Sequence, residues 1–176
     1  MYGRILVPID GSAGSSRGLD AAIDIARSTH GLLRLVHVLD DLSLPRRLAD
    51  TDTWLDALRH GGQQILEAAR TAAEARGIRA DAVLYGDLTT PLCEAIATEA
   101  RMWPAELIVL GSHGRRGGGR VMIGSDAERI LRSSTIPVVL VPAPTKRTGD
   151  ERISTRTKAV APALLIGQKY RRQMDA

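Results

Sequence analysis

The sequence predicts an α/β protein with a single open five-stranded parallel sheet, doubly wound, with helices on both faces. Three observations lead there. Short apolar runs at residues 5–9, 32–39, 80–85, 107–110 and 137–141 alternate with stretches of helical period. Several of these runs are apolar without polar alternation, the pattern of strands covered on both sides. Strands separated by helices pair in parallel, and right-handed crossovers then place helices on both faces.

The elements follow in order. Residues 5–9 (ILVPI) are the first strand, ended by Asp10-Gly11-Ser12. A helix is expected from Ser15 or Ser16 to His30, with Leu19, Ala22, Ile23 and Ala26 on one face and Asp20, Asp24 and Arg27 on another. Gly31 is expected to stop it. Residues 32–39 (LLRLVHVL) are the second strand, and residues 40–53, with Pro45, read as irregular surface. A long helix is expected over 53–76, with a spine of Leu55, Leu58, Ile65, Ala69 and Ala72, broken by Gly61-Gly62 and ended by Gly77. Residues 80–85 are the third strand, closed by Gly86. The third helix covers 91–102, with Leu92, Ile96 and Ala100 inward, a cap at Thr89 or Thr90 and proline in its first turn. Residues 107–110 are the fourth strand. A helix over 125–132 turns Ile130 and Leu131 inward, and residues 137–141 (PVVLV) are the fifth strand, ended by Pro142.

Composition narrows the classes. A length of 176 residues fits one domain with some extra, and 44% apolar residues suffice to bury a sheet. The core must be aliphatic, because the chain has no Phe. The single cysteine, Cys93, excludes an internal disulfide. No apolar run is long enough to span a bilayer, and the opening MYGRILVPID enters a strand pattern without an apolar leader. The expected location is the cytoplasm. The net charge of +4 is unevenly spread: residues 1–142 sum to −1 and residues 143–176 to +5. The domain is therefore expected to end at 142. The basic extension of 143–176 is expected to be a flexible tail, with a docking segment or a surface helix as alternatives.

The stretch with most chemistry is residues 111–125, GSHGRRGGGRVMIGS, between the fourth strand and a helix. Six glycines let its backbone approach a ligand, and Arg115, Arg116 and Arg120 add positive charge. It can be a plain flexible connection. Glycines, arginines and a helix N-terminus together suit a phosphate better. Ser125 is expected to cap the helix, within a Ser125-Asp126-Ala127-Glu128 capping box. Asp10, Val38 and Gly111 all lie at strand carboxyl ends, where ligands of doubly wound sheets bind. Asp10 before Gly11 reads, taken alone, as a turn residue; together with the glycine loop, binding is the better reading. His113 is a phosphate donor, a general base or a solvated loop histidine. His30, His37 and His60 show no metal-ligand spacing.

On these residues the chain resembles the universal stress protein family, in the branch that binds ATP. The most specific feature is a spacing: Gly111, two residues, Gly114, nine residues, then Gly124-Ser125. VPIDGS at residues 7–12, ELIVLGSHGR and PVVLV match as well. The resemblance covers residues 1–142. It implies a Rossmann-like, adenine nucleotide alpha hydrolase-like fold and a pocket for ATP, with Mg²⁺. Pro8, Asp10 and Ser12 would form one wall, with Asp10 near the nucleoside or a phosphate-bound metal. Val38 would offer backbone hydrogen bonds to adenine. Gly111, His113, Gly114 and Arg115 would pass the ribose and phosphates, and Gly124 and Ser125 would hold the phosphate end, with Asp126 beside them in the site. The resemblance also implies a homodimer through Pro137 to Val141. Position 126 departs from the family's usual small apolar residue. Two unit charges ~4 Å apart at an effective dielectric of ~20 interact by about 4 kcal/mol. An inward Asp126 would therefore repel phosphate, an outward one would favour the helix dipole, and either can meet a Mg²⁺.

Several function classes are excluded or demoted. The phosphate loop G-x-x-x-x-G-K-[ST] and the dinucleotide fingerprint G-x-G-x-x-G are absent. The loop arginines lack interleaved aromatics, so nucleic acid is not an expected partner. No base stands out for ATP hydrolysis. The reading is a regulatory ATP-binding protein of the stress response. The alternatives are a dimeric interaction module that binds no nucleotide and acts through its surface and basic tail, and a weak ATPase.

Overall fold

The computed structural model describes residues 2–40, 51–114 and 123–142. The loop arginines 115, 116 and 120, the irregular segment 41–50 and the extension 143–176 lie outside the described residues. Within them the order is β1 (Arg4–Pro8), α1 (Ala13–Thr29), β2 (Leu32–Val38), α2 (Thr51–Glu74), β3 (Ala80–Tyr85), α3 (Leu92–Met102), β4 (Leu107–Gly111), α4 (Ser125–Ser133) and β5 (Val138–Val141). The five strands form one parallel sheet in the order β3-β2-β1-β4-β5. Strand order reverses between β1 and β4, which pair at Ile5 with Leu107.

The two sides of β1 feed different cores. Ile5 and Val7 pack with Leu19 and Ile23 of α1 and Leu66 and Ala73 of α2. Leu6 packs on the other side with Ile96 of α3 and Ala127 and Ile130 of α4. Helices therefore cover both faces, as the uninterrupted apolar strands require. β5 is an edge strand, with Val138 and Val139 buried and Leu140 and Val141 half-buried.

The structure corrects several local expectations. α1 starts at Ala13, because Ser12 caps it by accepting the Ser15 amide at 3.1 Å. Its left-handed end falls on His30 (φ 55°), not Gly31. Gly31 is small for another reason: a Cβ there would sit 2.9 Å from the Tyr2 carbonyl oxygen. α2 buries Trp54, Leu58, Leu66, Ala69 and Ala73, while Ala72 is exposed and Leu55 and Ile65 are half-buried. It runs unbroken through Gly61-Gly62. Gly62 faces the sheet so closely that a Cβ would lie 2.8 Å from His37 Cδ2 and 2.9 Å from Leu84 Cδ1. Gly61 has open space around it. Gly61→Ala therefore gains helix propensity without a clash and should stabilise the fold by about 0.5–1 kcal/mol. A thermal melt should show Tm rising by roughly 1–4 °C.

α3 starts after Pro91, which has no side-chain cap. Thr89 and Thr90 instead donate to Asp87. α3 is tied to the sheet by a polar cluster that the apolar pattern did not reveal. Arg34 of β2 donates to Glu99 at 2.6 Å, the Tyr85 hydroxyl donates to the other Glu99 oxygen at 3.0 Å, and the guanidinium lies 4.8 Å from the centre of the Trp103 ring. Glu99 is buried, so removing Arg34 alone would strand a charge in the core. Burial and the Glu99 carboxylate raise the Tyr85 hydroxyl above its ordinary pKa of 10.0. The pairing holds α3, and with it the loop before α3, against β2 and β3.

Candidate functional site

The carboxyl ends of the strands enclose a cavity of about 660 Å³, within the usual range for a small-molecule site. Each wall has a local cause. β1 ends at Pro8, and Asp10 folds its carboxylate back so that Oδ1 accepts the Ser12 amide at 2.9 Å. Gly11 makes the turn possible at φ 78°. The next wall is the end of β2, with Val38, Leu39 and Asp40. It is locked to β1 by Ile9 N–H donating to Val36 O at 2.8 Å and by His37 Nδ1 contacting Ile9 O at 2.6 Å.

β4 supplies Gly111, His113 and Gly114. Gly111 lies directly on Gly14 of α1, with backbone against backbone, and Gly18 one turn on meets the Gly111 amide at 2.9 Å from where a Cβ would stand. Gly14, Gly18 and Gly111 thus let the first turns of α1 sit against the exit of β4. Gly114 in turn leaves room for Asp10: a Cβ on it would lie 2.5 Å from Asp10 Oδ2. Asp10 therefore bridges the two turns, one oxygen on the Ser12 amide and the other beside the Gly114 backbone. His113 Nδ1 is 3.0 Å from the Ser112 hydroxyl.

The last wall is the start of α4. Ser125 does not cap it: the cap position falls on Gly124 (φ −62°, ψ 150°), which has no side chain to bond the first amides. The physical reason is the loop's anchor. Gly124 N–H donates to Ser112 O at 2.8 Å, which fixes its extended backbone and puts Ser125 in the first helical position. The capping box is not formed, and α4 starts at the cavity with no side-chain cap from its N-cap residue. This is the state in which a helix N-terminus receives an anion.

The family model described as the universal stress protein family matches residues 1–142. The chain belongs to the universal stress protein family. It is 31% identical over 150 residues to the universal stress protein YxiE of Bacillus subtilis, covering 80% of this chain and 99% of the relative. A crystal structure of a universal stress protein family member from Burkholderia pseudomallei is similar at TM-score 0.63 and 32% identity, covering 81% of this chain and 97% of that one. Another, of a universal stress protein in complex with cAMP, is similar at TM-score 0.57 and 25% identity, covering 80% and 97%.

In this universal stress protein the cavity is lined by Pro8, Asp10, Val38, Gly111, His113 and Gly114, and by Gly124, Ser125 and Asp126. Ser12 is not in the lining; its hydroxyl caps α1. Arg115 lies outside the described residues. Sequence reasoning missed Asp40, Arg129, Ile123 and the whole lip from Leu88 to Leu92. The lip had a signal: it follows the carboxyl end of β3, the same edge as the other turns. Among the described lining residues, three carboxylates, Asp10, Asp40 and Asp126, face one guanidinium, Arg129. No cluster of three or more potential metal ligands exists among the described residues. No helix among them is long and apolar enough to cross a membrane.

The lip is shaped by Asp87. Its Oδ1 accepts the Thr89 and Thr90 amides at 3.0 and 2.7 Å and the Thr89 hydroxyl at 3.0 Å, while Oδ2 accepts the Thr90 hydroxyl at 3.0 Å. The Thr90 hydroxyl, then the Thr90 amide, hold the Asp87 carboxyl below its ordinary pKa of 3.8. A lowered pKa in the fold means that the stabilisation is complete above 3.8 and lost as pH falls through the lower folded value. The Thr89 and Thr90 amide resonances should titrate together with a midpoint below 3.8. A midpoint at or above that value would contradict the turn.

Proposed function

We propose that this cavity binds an adenine nucleotide, ATP with Mg²⁺, and that the protein acts as a nucleotide-dependent regulator in the stress response. The observation that carries the reading is the start of α4, with glycine at its cap position, at a cavity where the backbones of Gly111 and Gly114 pass without side chains. A related universal stress protein has been solved in complex with cAMP, which supports an adenine ligand. In this reading the backbone at Val38 holds the base, Gly111 and Gly114 pass the ribose and phosphates, and Gly124 and Ser125 hold the phosphate end.

Mg²⁺ fits the donor set. It keeps several waters and needs only one or two carboxylates besides the phosphates. Asp10 supplies one, fixed by the Ser12 amide and close to Gly114. The metal would neutralise phosphate charge beside the lining carboxylates. The protein would work in the cytoplasm as a homodimer paired along β5, whose outer edge has no partner strand among the described residues. One observation favours a second reading, an interaction module without nucleotide: three carboxylates stand in the lining.

The test is the small-molecule content of the purified protein after denaturation, followed by titration of the emptied protein with MgATP. Released adenine nucleotide, or saturable binding below millimolar, is expected. No nucleotide and no binding at millimolar MgATP would leave the second reading.

A further inference from the structure

The first turns of α4 present two charges to the cavity. Asp126 and Arg129 are three residues apart, a spacing that puts side chains on one helix face, and both line the cavity. Among the described residues neither has an ion-pair partner, whereas Arg132 is paired with Glu128 at 2.8 Å. The helix thus pairs one arginine with its own acid and leaves the other at the site. Asp126 follows Ser125 directly, where its carboxylate opposes any anion at the start of α4. A site that receives phosphate there needs a compensating cation, and Arg129 is the one guanidinium among the described lining residues.

We infer that Arg129 is the counter-charge that lets a polyphosphate sit beside Asp126, and so sets a preference for nucleoside triphosphate over monophosphate. The inference rests on the nucleotide reading above. A guanidinium suits the task because its planar fork can donate two parallel hydrogen bonds to one phosphate. In the presence of the polyphosphate it is shared between the terminal phosphate and Asp126. A monophosphate, ending short of α4, gains little from it.

The experiment is calorimetric titration of wild type, Arg129→Gln, Arg129→Lys and the double variant Asp126→Asn/Arg129→Gln with ATP and with AMP, each with Mg²⁺. Arg129→Gln should weaken ATP about tenfold and AMP less than about threefold, in line with the worth of a charge-assisted hydrogen bond. Arg129→Lys should lose less, because the charge remains. Adding Asp126→Asn to Arg129→Gln should restore most of the ATP affinity. Unchanged ATP affinity in Arg129→Gln, equal losses for ATP and AMP, or no recovery in the double variant would each overturn the inference and leave the nucleotide reading standing. Wild type that binds neither nucleotide would overturn both.

Discussion

Gly14→Ala is expected to destabilise the protein by about 2–3 kcal/mol, near the top of the range for overpacking, and to lower Tm by roughly 4–12 °C. The same change at a free helical site gains about 1 kcal/mol from propensity, as at Gly61, so the clash must exceed that gain. At Gly14 it does. A Cβ would run into the His113 carbonyl, with the His113 carbonyl carbon at 3.0 Å and the Ser12 hydroxyl at 3.5 Å. The obstacle is backbone, which cannot swing aside as a side chain does. The strain has to move the exit of β4, so nucleotide affinity should fall with stability. Melting curves of Gly14→Ala and Gly61→Ala, run together, should shift in opposite directions. Equal shifts would mean that α1 does not press on the β4 exit as described.

Gly114→Val should do the reverse: it should abolish the site while sparing the fold. Gly114 is exposed and its φ is not in the left-handed region, so a side chain costs the backbone little. The cost falls on Asp10, whose Oδ2 would lie 2.5 Å from the new Cβ. The carboxylate must move off the Gly114 backbone, and the branched side chain then covers the surface that a phosphate would approach. Overpacking of about 3 kcal/mol, charged to the bound state, is a loss of more than about 100-fold in affinity. Calorimetry should show no MgATP binding in the range where wild type saturates, with a melting temperature within about 3 °C of wild type. Retained affinity would mean that the ligand does not pass Gly114.

Most of the fold was legible because its strands are apolar and its ends are punctuated. β3 lies at the expected residues 80–85, and the other strands differ by a residue or so at an end. What the pattern could not show was contact made through glycine. The phase of α2 came out rotated because Gly62, invisible to an apolar count, is the position pressed against His37 and Leu84. The seat of α1 on β4 depends likewise on Gly14, Gly18 and Gly111. At the site, the Ser-x-x-Glu signature suggested a cap at Ser125, but the long-range bond from Gly124 to Ser112 displaces the helix start by one residue. Signatures of that kind are local, and a contact twelve residues away outweighs them. Arg129 escaped notice because a lone arginine on a polar helix face looks like solvated surface until its neighbours show where the face points.

The central claim is that three strand ends and the start of α4 form one cradle for a nucleotide's anionic end. Its most direct measurement is an amide NMR titration with MgATP to millimolar concentration. The account predicts saturable shifts concentrated at Asp10, Val38, Gly111, Gly114, Ser125 and Asp126, with the strands beyond Leu33 and Leu107 unmoved. Shifts scattered over the surface, or none at millimolar nucleotide, would contradict it.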